Sequence, residues 1–318
     1  LMKDKVVFFG ASTFGLKCLK VLSDMDDITI NGVVSAPEKF SISYNPKGVK
    51  NILHTDFSSF CSKATIPFYE IKSMKGSMSD PDLLFILNKW KPDYFIVIGW
   101  YHMVTKKIRD IAPAFGMHAS LLPNYSGGAP LVWSLINDEK KTGISFFKLM
   151  DGVDDGPIVD QKSTQIFESD NIATLYRRIE DLGMSMLKEN LPGILNHSNK
   201  FKVQDEKKRV VYPQRSPEDG LINWNWDSRR VWNFVRAQTN PYPGAFFYFG
   251  EKKISIIAGR YHQDFSKKGL VAGEIVSINS ESVKIKCGKG AFEIQEYTIN
   301  GTKQNNFRKD FSIDSSQL

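Results

Sequence analysis

The apolar run at residues 6–9 ends at Gly10, the pattern of a strand buried on both faces within a parallel sheet. A helix should follow, because Phe14, Cys18, Leu19 and Leu22 share one face at helical spacing. Residues 31–34 read as a second short strand. The polar stretch 36–55, with Pro37, Pro46 and Gly48, reads as loop. Residues 83–90 keep a helical period, and 93–99 form another buried strand that runs on into Trp100, Tyr101 and His102. Residues 116–120 predict a short strand, 143–150 and 158–166 two longer ones. Ser169 then reads as the N-cap of a helix carrying Ile172, Leu175, Tyr176, Ile179, Leu182, Met186 and Leu187. Strands and helices alternating in this way build an α/β fold with a mostly parallel sheet covered on both faces.

After Pro192 the pattern changes. Residues 196–202 are polar and linker-like, and 223–236 form one helical stretch rich in tryptophan. Beyond it, residues 246–249, 253–258, 273–278, 282–287 and 291–297 are short strands separated by glycine or polar turns. Such closely spaced strands predict a small barrel. The polar tail from residue 300 reads as frayed. The expected division is an α/β region over 1–200, a linker over 201–222 and a β domain over 223–318.

The length of 318 residues fits that division, at roughly 150 residues per domain. Hydrophobic residues at 42% and charged residues at 24% exclude wholesale disorder. Three scattered cysteines, Cys18, Cys61 and Cys287, form neither a disulfide framework nor a zinc cluster and point to a reducing compartment. No apolar run approaches the roughly 18 residues that span a bilayer, and the first is too short for a signal-peptide core. A cytoplasmic protein without membrane attachment is expected. The net charge of +7 is uneven: residues 1–200 carry 23 Lys and Arg against 22 Asp and Glu, residues 201–318 carry 19 against 13. The basic third could face tRNA, a nucleotide diphosphate or solvent alone.

Gly10-Ala11-Ser12-Thr13-Phe14-Gly15 stands where a dinucleotide fingerprint would lie, but Ser12 puts a β-carbon at the closest approach to a pyrophosphate. What is left is a strand-to-helix turn, or an anion or hydroxyl site with Ser12 and Thr13 as substrate contacts. Residues 116–130 place His118 at a strand end before a loop rich in proline and glycine. Asp151-Gly152-Val153-Asp154-Asp155-Gly156-Pro157 joins the two longer strands. Both segments belong to strand ends or connections, so one sheet could bring them to a common rim. A carboxylate beside an imidazole fixes its tautomer and serves general acid–base chemistry. No serine or cysteine elbow and no histidine pair at metal spacing accompanies them, and His54, His197 and His262 read as isolated surface residues. The chemistry indicated is proton transfer without a covalent intermediate or a metal.

His118-Ala119-Ser120-Leu121-Leu122-Pro123, then Gly127 to Pro130, then Asp154-Asp155-Gly156-Pro157-Ile158, resemble the formyltransferases that use 10-formyltetrahydrofolate. That family's pattern is Asn-x-His-x-Ser-Leu-Leu-Pro with Asp-x-Gly-x-Ile some three dozen residues later, and here His118 and Asp154 are 36 apart. Gln204-Asp205-Glu206, Arg215 to Gly220, Val235-Arg236-Ala237 and Pro241-Tyr242-Pro243-Gly244-Ala245 are similar to the carboxyl-terminal region of two branches: methionyl-tRNA formyltransferase, and the sugar-nucleotide N-formyltransferases of the UDP-4-amino-4-deoxy-L-arabinose type. The resemblance implies a Rossmann-like catalytic domain followed by a small OB-like barrel.

It also implies formylation of an amine. A neutral amine attacks the formyl carbon, His118 assists proton transfer and stabilises the oxyanion, and Asp154 orients and charge-balances His118 and helps pass the proton to the departing folate nitrogen. Gly99, Trp100, Tyr101, Ser120, Leu122, Pro123, Gly152 and Val153 correspond to the pterin pocket. Tyr125 and Gly127, with Ser12 and Thr13, are candidate substrate contacts. Arg215 and Arg236 would meet substrate phosphates or form a pair between barrel and helix. Trp224, Trp226 and Trp232 read as interdomain packing or a sugar-stacking platform. Two positions depart from the pattern. The family's asparagine is Gly116 here, and loss of one such oxyanion donor costs roughly 3–4 kcal/mol; a backbone N–H, a water or His102 would replace it. Ser126 stands where both branches have arginine.

For the acceptor, Pro130-Leu131-Val132-Trp133 and the segment 240–246 look closer to the sugar branch, and the loop after Val34 lacks the arginine- and glycine-rich insertion of the tRNA branch. The expected function is transfer of formyl to a nucleotide-linked amino sugar for surface polysaccharide such as lipopolysaccharide O-antigen. Methionyl-tRNA formylation and a degenerate folate- or nucleotide-binding relative are the alternatives. A homodimer is compatible with either.

Overall fold

The computed structural model describes residues 3–42, 45–72, 78 and 80–312. Its elements in chain order are β1 (Asp4–Phe9), α1 (Thr13–Ser23), β2 (Ile28–Ser35), β3 (Lys39–Ile42), β4 (Asn45–Lys50), α2 (Ser58–Ala64), β5 (Phe68–Glu70), α3 (Pro81–Trp90), β6 (Tyr94–Val97), α4 (Lys106–Arg109), β7 (Ala114–His118), β8 (Ser126–Gly127), α5 (Pro130–Ile136), β9 (Lys141–Lys148), β10 (Ile158–Gln165) and α6 (Ile172–Leu195). Then follow β11 (Val211–Tyr212), α7 (Ser228–Arg236), β12 (Ala245–Phe249), β13 (Lys252–His262), β14 (Ile275–Ile278), β15 (Val283–Lys286), β16 (Ala291–Ile299), β17 (Thr302–Gln304) and α8 (Phe307–Asp310).

These elements form two compact units. The first comprises Leu1–Gly127, Gly143–Thr164 and Arg178–Val211; the second comprises Gly128–Thr142, Gln165–Arg177 and Tyr212–Leu318. The division is therefore interleaved in sequence, with α5 in the second unit, where the sequence suggested a linear cut near residue 200.

The first unit is built on a sheet of order β10-β9-β7-β6-β1-β2-β5. Strands β5, β2, β1, β6 and β7 are parallel, and β9 joins β7 antiparallel. Val6, Val7, Phe8 and Phe9 of β1 are each 0% exposed, as a strand covered on both faces requires. β1 leads to β2 on one side and pairs with β6 on the other, so the chain reverses direction across the sheet between β1 and β6. Crevices in open α/β sheets form beyond the carboxyl ends of strands at such a point. Residues 36–55, expected to be loop, contain the antiparallel hairpin β3–β4. Helix α6 starts after Asn171, not Ser169: Asn171 Oδ1 accepts from Thr174 N at 3.0 Å and Thr174 Oγ1 from Asn171 N at 3.1 Å. None of the described helices is long and apolar enough to cross a membrane.

The second unit is an antiparallel sheet of order β12-β13-β16-β15-β14 with β17 added on β16. Two irregularities in the β13–β16 register, around Ala258, bend the sheet. Helix α7 is capped by Asp227, whose Oδ1 accepts from Arg230 N at 2.9 Å; it places Val231, Phe234 and Val235 against Phe247, Ile254, Ile256, Phe292 and Ile294. Trp224 and Trp226, expected inside the helix, precede it. Trp224 meets Phe247 and Trp226 meets Phe234, both edge-on, and Trp232 lies on Tyr261. All three serve this unit's own core. The tail is not frayed up to residue 311: Phe307 and Phe311 are 4% and 0% exposed within that core, while residues 313–318 lie outside the described residues.

Candidate active site

His118 closes β7, opposite Ser145 of β9. Strand alternation puts Gly116 and His118 on one face and Met117 on the other. Beyond His118, the chain is turned by one hydroxyl. Ser145 Oγ donates to Ser120 O at 2.6 Å and accepts from Leu122 N at 3.1 Å and from Gln161 Nε2 at 2.8 Å, which uses its full hydrogen-bonding capacity. Ser120 Oγ in turn donates to Asn124 O at 2.8 Å. The loop delivers Tyr125 in the left-handed region, φ 55°, with its carbonyl oxygen 2.7 Å from His118 Nε2. A carbonyl only accepts, so Nε2 carries a proton and Nδ1 is the nitrogen whose protonation can change.

Asp154 reaches that nitrogen by an indirect route. Lys148 pairs with Phe115 and Leu149 N donates to Ala114 O at 2.8 Å, so the acidic turn begins at the end of β7 away from His118. The two segments do not share a rim. Instead the turn folds back across the face that carries Gly116 and His118, and Leu149 covers Gly116 on the way. The turn is held by Asp155 Oδ2, which accepts from Gly152 N at 2.9 Å. At Gly156 a β-carbon would stand 1.7 Å from Lys148 O, so only glycine fits. Asp154, at φ 53°, presents Oδ2 to Gly127 N–H at 2.8 Å and to His118 Nδ1 at 3.6 Å. The two side chains are 12% and 21% exposed. A carboxylate oxygen thus stands between a peptide N–H and an imidazole nitrogen that can take or release a proton.

β6 and β7 run side by side in parallel with Val97 opposite Gly116, so the segments following them leave the sheet at the same end. Gly99 is at φ 65°, and its α-carbon lies so close to Ser12 that a β-carbon would meet Ser12 Oγ. The Trp100 ring packs edge-on against Phe9 and His102 at 5.4 and 5.5 Å. Its Nε1 is buried without a hydrogen-bond partner among the described residues. Burial lowers the His102 pKa below its usual value, which favours the neutral ring. Tyr101 and Val153 are exposed, whereas Leu122 is buried with Phe147 and Ile158; Pro123 follows Leu122 through a cis peptide bond. Ser120 is 0% exposed and shapes the loop through its hydroxyl and carbonyl.

At four expected substrate contacts the side chains are engaged within the chain. Ser12 is the N-cap of α1, its Oγ accepting from Gly15 N at 3.2 Å. Thr13 Oγ1 bonds Thr55 Oγ1 at 2.8 Å. In the second unit, Arg215 is set over the rings of Trp133 and Phe234 at 4.8 and 5.5 Å and donates to Asp219 O and Gln238 Oε1. Arg236, 6% exposed, lies over Trp232 and donates to Asn233, Phe167 O and Asp170 O. Both guanidinium groups are held within their own unit. Of the other histidines only His197 is exposed; His54 bonds Ala36 O at 3.1 Å and His262 pairs with Glu293 at 2.9 Å. The site also has residues that the sequence did not single out, Leu149 and Arg209. Arg209 binds backbone carbonyls (Val153, Asp154), a recognition that leaves no spacing signal.

The family model described as Formyl transferase matches residues 5–191, and that described as Formyl transferase, C-terminal domain, matches 215–311. A methionyl-tRNA formyltransferase of Lactococcus lactis subsp. lactis (strain IL1403) is 30% identical over 296 residues, covering 92% of this chain and 90% of that protein. Among solved structures, the N-formyltransferase from Helicobacter canadensis in complex with folinic acid and dTDP-3-aminofucose aligns with TM-score 0.65 at 17% identity, over 93% of this chain and 100% of that one. Methionyl-tRNA formyltransferase from Clostridium thermocellum aligns with TM-score 0.54 at 16% identity, over 90% and 100%. At these identities the two structures establish likeness of fold.

Proposed function

The chain belongs to the formyl transferase family, and from that premise we propose that it transfers formyl from 10-formyltetrahydrofolate to the amine of a nucleotide-linked amino-deoxy sugar in the cytoplasm. The observation that carries the chemistry is the pair of contacts on His118: Nε2 fixed on Tyr125 O and Nδ1 facing Asp154.

The cosubstrate suits the residues present. Trp100 Nε1 is a buried donor in need of an acceptor, and the exposed apolar groups of Tyr101 and Val153 offer cover for a flat heteroaromatic ring. Gly99, Trp100, Tyr101, Leu122, Pro123, Gly152 and Val153 would hold it. It supplies an activated one-carbon group on a nitrogen that leaves with a proton. His118 Nδ1 would hold the proton released by the attacking amine, and Asp154 would remain a carboxylate that balances the imidazolium charge. Tyr125 O keeps the ring from turning while this happens.

For a small acceptor, the support is that four arginines of the second unit are engaged within that unit. Arg229 pairs with Asp138 and Glu168 at 2.9 and 2.6 Å, Arg230 lies over Trp226, and Arg215 and Arg236 are packed as described. A tRNA surface draws its affinity from free cations on phosphates. Residues 36–55 also contain no arginine. The second reading, methionyl-tRNA as acceptor, is favoured by the curated relatives at about the identity given above and by the basic excess of residues 201–318.

The test is incubation with formyl-folate and, in parallel, nucleotide-linked amino sugars and charged initiator tRNA. Formylation of a sugar is expected. Turnover of tRNA alone, with salt-dependent binding, replaces the first reading by the second.

A further inference from the structure

Arg209 is the residue through which the loop carrying Gly127 and the turn carrying Asp154 are joined. Its Nη1 donates to Ser126 Oγ at 2.9 Å, to Val153 O at 3.1 Å and to Asp154 O at 3.2 Å. The Ser126 hydroxyl donates onward to Pro123 O at 3.2 Å, and Ser126 N donates to Val210 O at 3.0 Å. On its outer side the guanidinium is held by Glu206, at 2.6 Å from Nε and 2.7 Å from Nη2, and by Gln204 Oε1 at 3.3 Å. Gln204 is itself 6% exposed and donates Nε2 to Asp154 O and Gly156 O, both at 2.7 Å. Two side chains thus converge on the carbonyl of one residue.

That residue needs holding. Asp154 has a positive φ, a conformation that costs energy outside glycine and persists when its surroundings over-determine it. Its carboxylate works only if Oδ2 reaches Gly127 N–H and His118 Nδ1 together, and those groups lie on a different segment. We infer that Arg209, assisted by Gln204, is a positioning residue for the Asp154 carboxylate: it ties Ser126 to residues 153–154 and so sets the distance between Asp154 and His118. Ser126, where the resemblance leads one to expect arginine, is then a small residue that leaves room for a guanidinium arriving from residue 209. The inference rests on the reading of His118 and Asp154 as the proton-handling pair.

The experiment compares Asp154→Asn, Arg209→Ala and Arg209→Lys in formyl-folate-dependent turnover with the accepted amine, together with folate binding and thermal melting. Asp154→Asn tests the pair itself; if it turns over normally, the underlying reading falls, whatever Arg209 does. With Asp154→Asn impaired, Arg209→Ala is expected to lower kcat about 10- to 100-fold, the scale of lost supporting contacts. KM for both substrates should stay within about twofold, and the pH profile of kcat/KM should change toward that of Asp154→Asn. Arg209→Lys, which keeps the charge without the fork, should fall between. Wild-type kcat in Arg209→Ala overturns the inference, and so does a loss seen only in KM. Should Arg209→Ala not fold, Arg209→Lys decides alone, and wild-type kcat and pH profile in it overturn the inference.

Discussion

Leu149 Cδ2 lies 3.0 Å from the point where a β-carbon on Gly116 would stand, with Val97 O 3.1 Å from the same point. Where the family pattern carries an amide side chain, this chain has Gly116 with the apolar side chain of Leu149 against it. Leu149 is there because the chain returns across the sheet face to bring Asp154 to His118, so the loss of a polar group at 116 and the path of the acidic turn are one arrangement.

Gly116→Ala should therefore overpack this face and cost about 1–3 kcal/mol, the range for added methyl groups in tight cores. Urea unfolding measures it, and Leu149→Ala combined with Gly116→Ala should cost less than the sum of the two single changes, because the contact is shared. Strict additivity would mean that the two positions do not meet.

His118→Ala should lower kcat by about 10²- to 10⁴-fold, the contribution of a positioned acid–base group. Folate binding, followed by tryptophan fluorescence, should remain, since Gly99, Trp100, Tyr101, Gly152 and Val153, proposed to hold the ring, lie on other segments. An unchanged kcat would remove His118 from the chemistry.

Acid should weaken the second unit through Asp138. Burial raises its carboxyl pKa, but hydrogen bonds from Arg229, Lys140 and Asn233 outweigh this and hold it well below the usual carboxylate range. A depressed folded pKa stabilises above the unfolded value, about 3.9, and the benefit is lost as pH falls through the folded value. Asp138→Asn should thus lower the melting temperature at pH 7, and the gap to the wild type should be steady down to about pH 5 and narrow below pH 4. A gap that widens in acid would contradict the assignment. Partial exposure makes it shrink in high salt.

Phe311→Ala should destabilise the second unit by about 3–5 kcal/mol, as for a buried aromatic ring. Phe311 is 0% exposed and meets Tyr297, whose hydroxyl donates to Asp310 at 2.7 Å. A truncation before residue 306 should behave in the same way in thermal melts. A truncated protein with wild-type stability would show that the tail is dispensable.

The central strands were readable because a parallel strand buried on both faces leaves an uninterrupted apolar run, as at residues 6–9 and 94–97. The hairpin β3–β4 was not, since its sequence is polar and carries Pro46 and Gly48, both of which read as loop. Phe307 and Phe311 were hidden by polar neighbours that fixed the local average. At the site, the side chains of His118 and Asp154 carry motif signals. Their geometry depends on Tyr125 O, Gly127 N and the carbonyl of Asp154, groups that every residue possesses and no pattern marks. Arg215 and Arg236 show the converse: cations in recognisable motifs that stack on tryptophan in their own unit.

With Nε2 spoken for by a peptide oxygen, the imidazole of His118 has a single working atom. A ring open at both ends can collect a hydrogen ion on one edge and discharge it from the other; this ring has to do both at the same spot. In the proposed reaction the nitrogen that gains the one-carbon unit and the nitrogen that surrenders it must therefore approach one point beside Asp154.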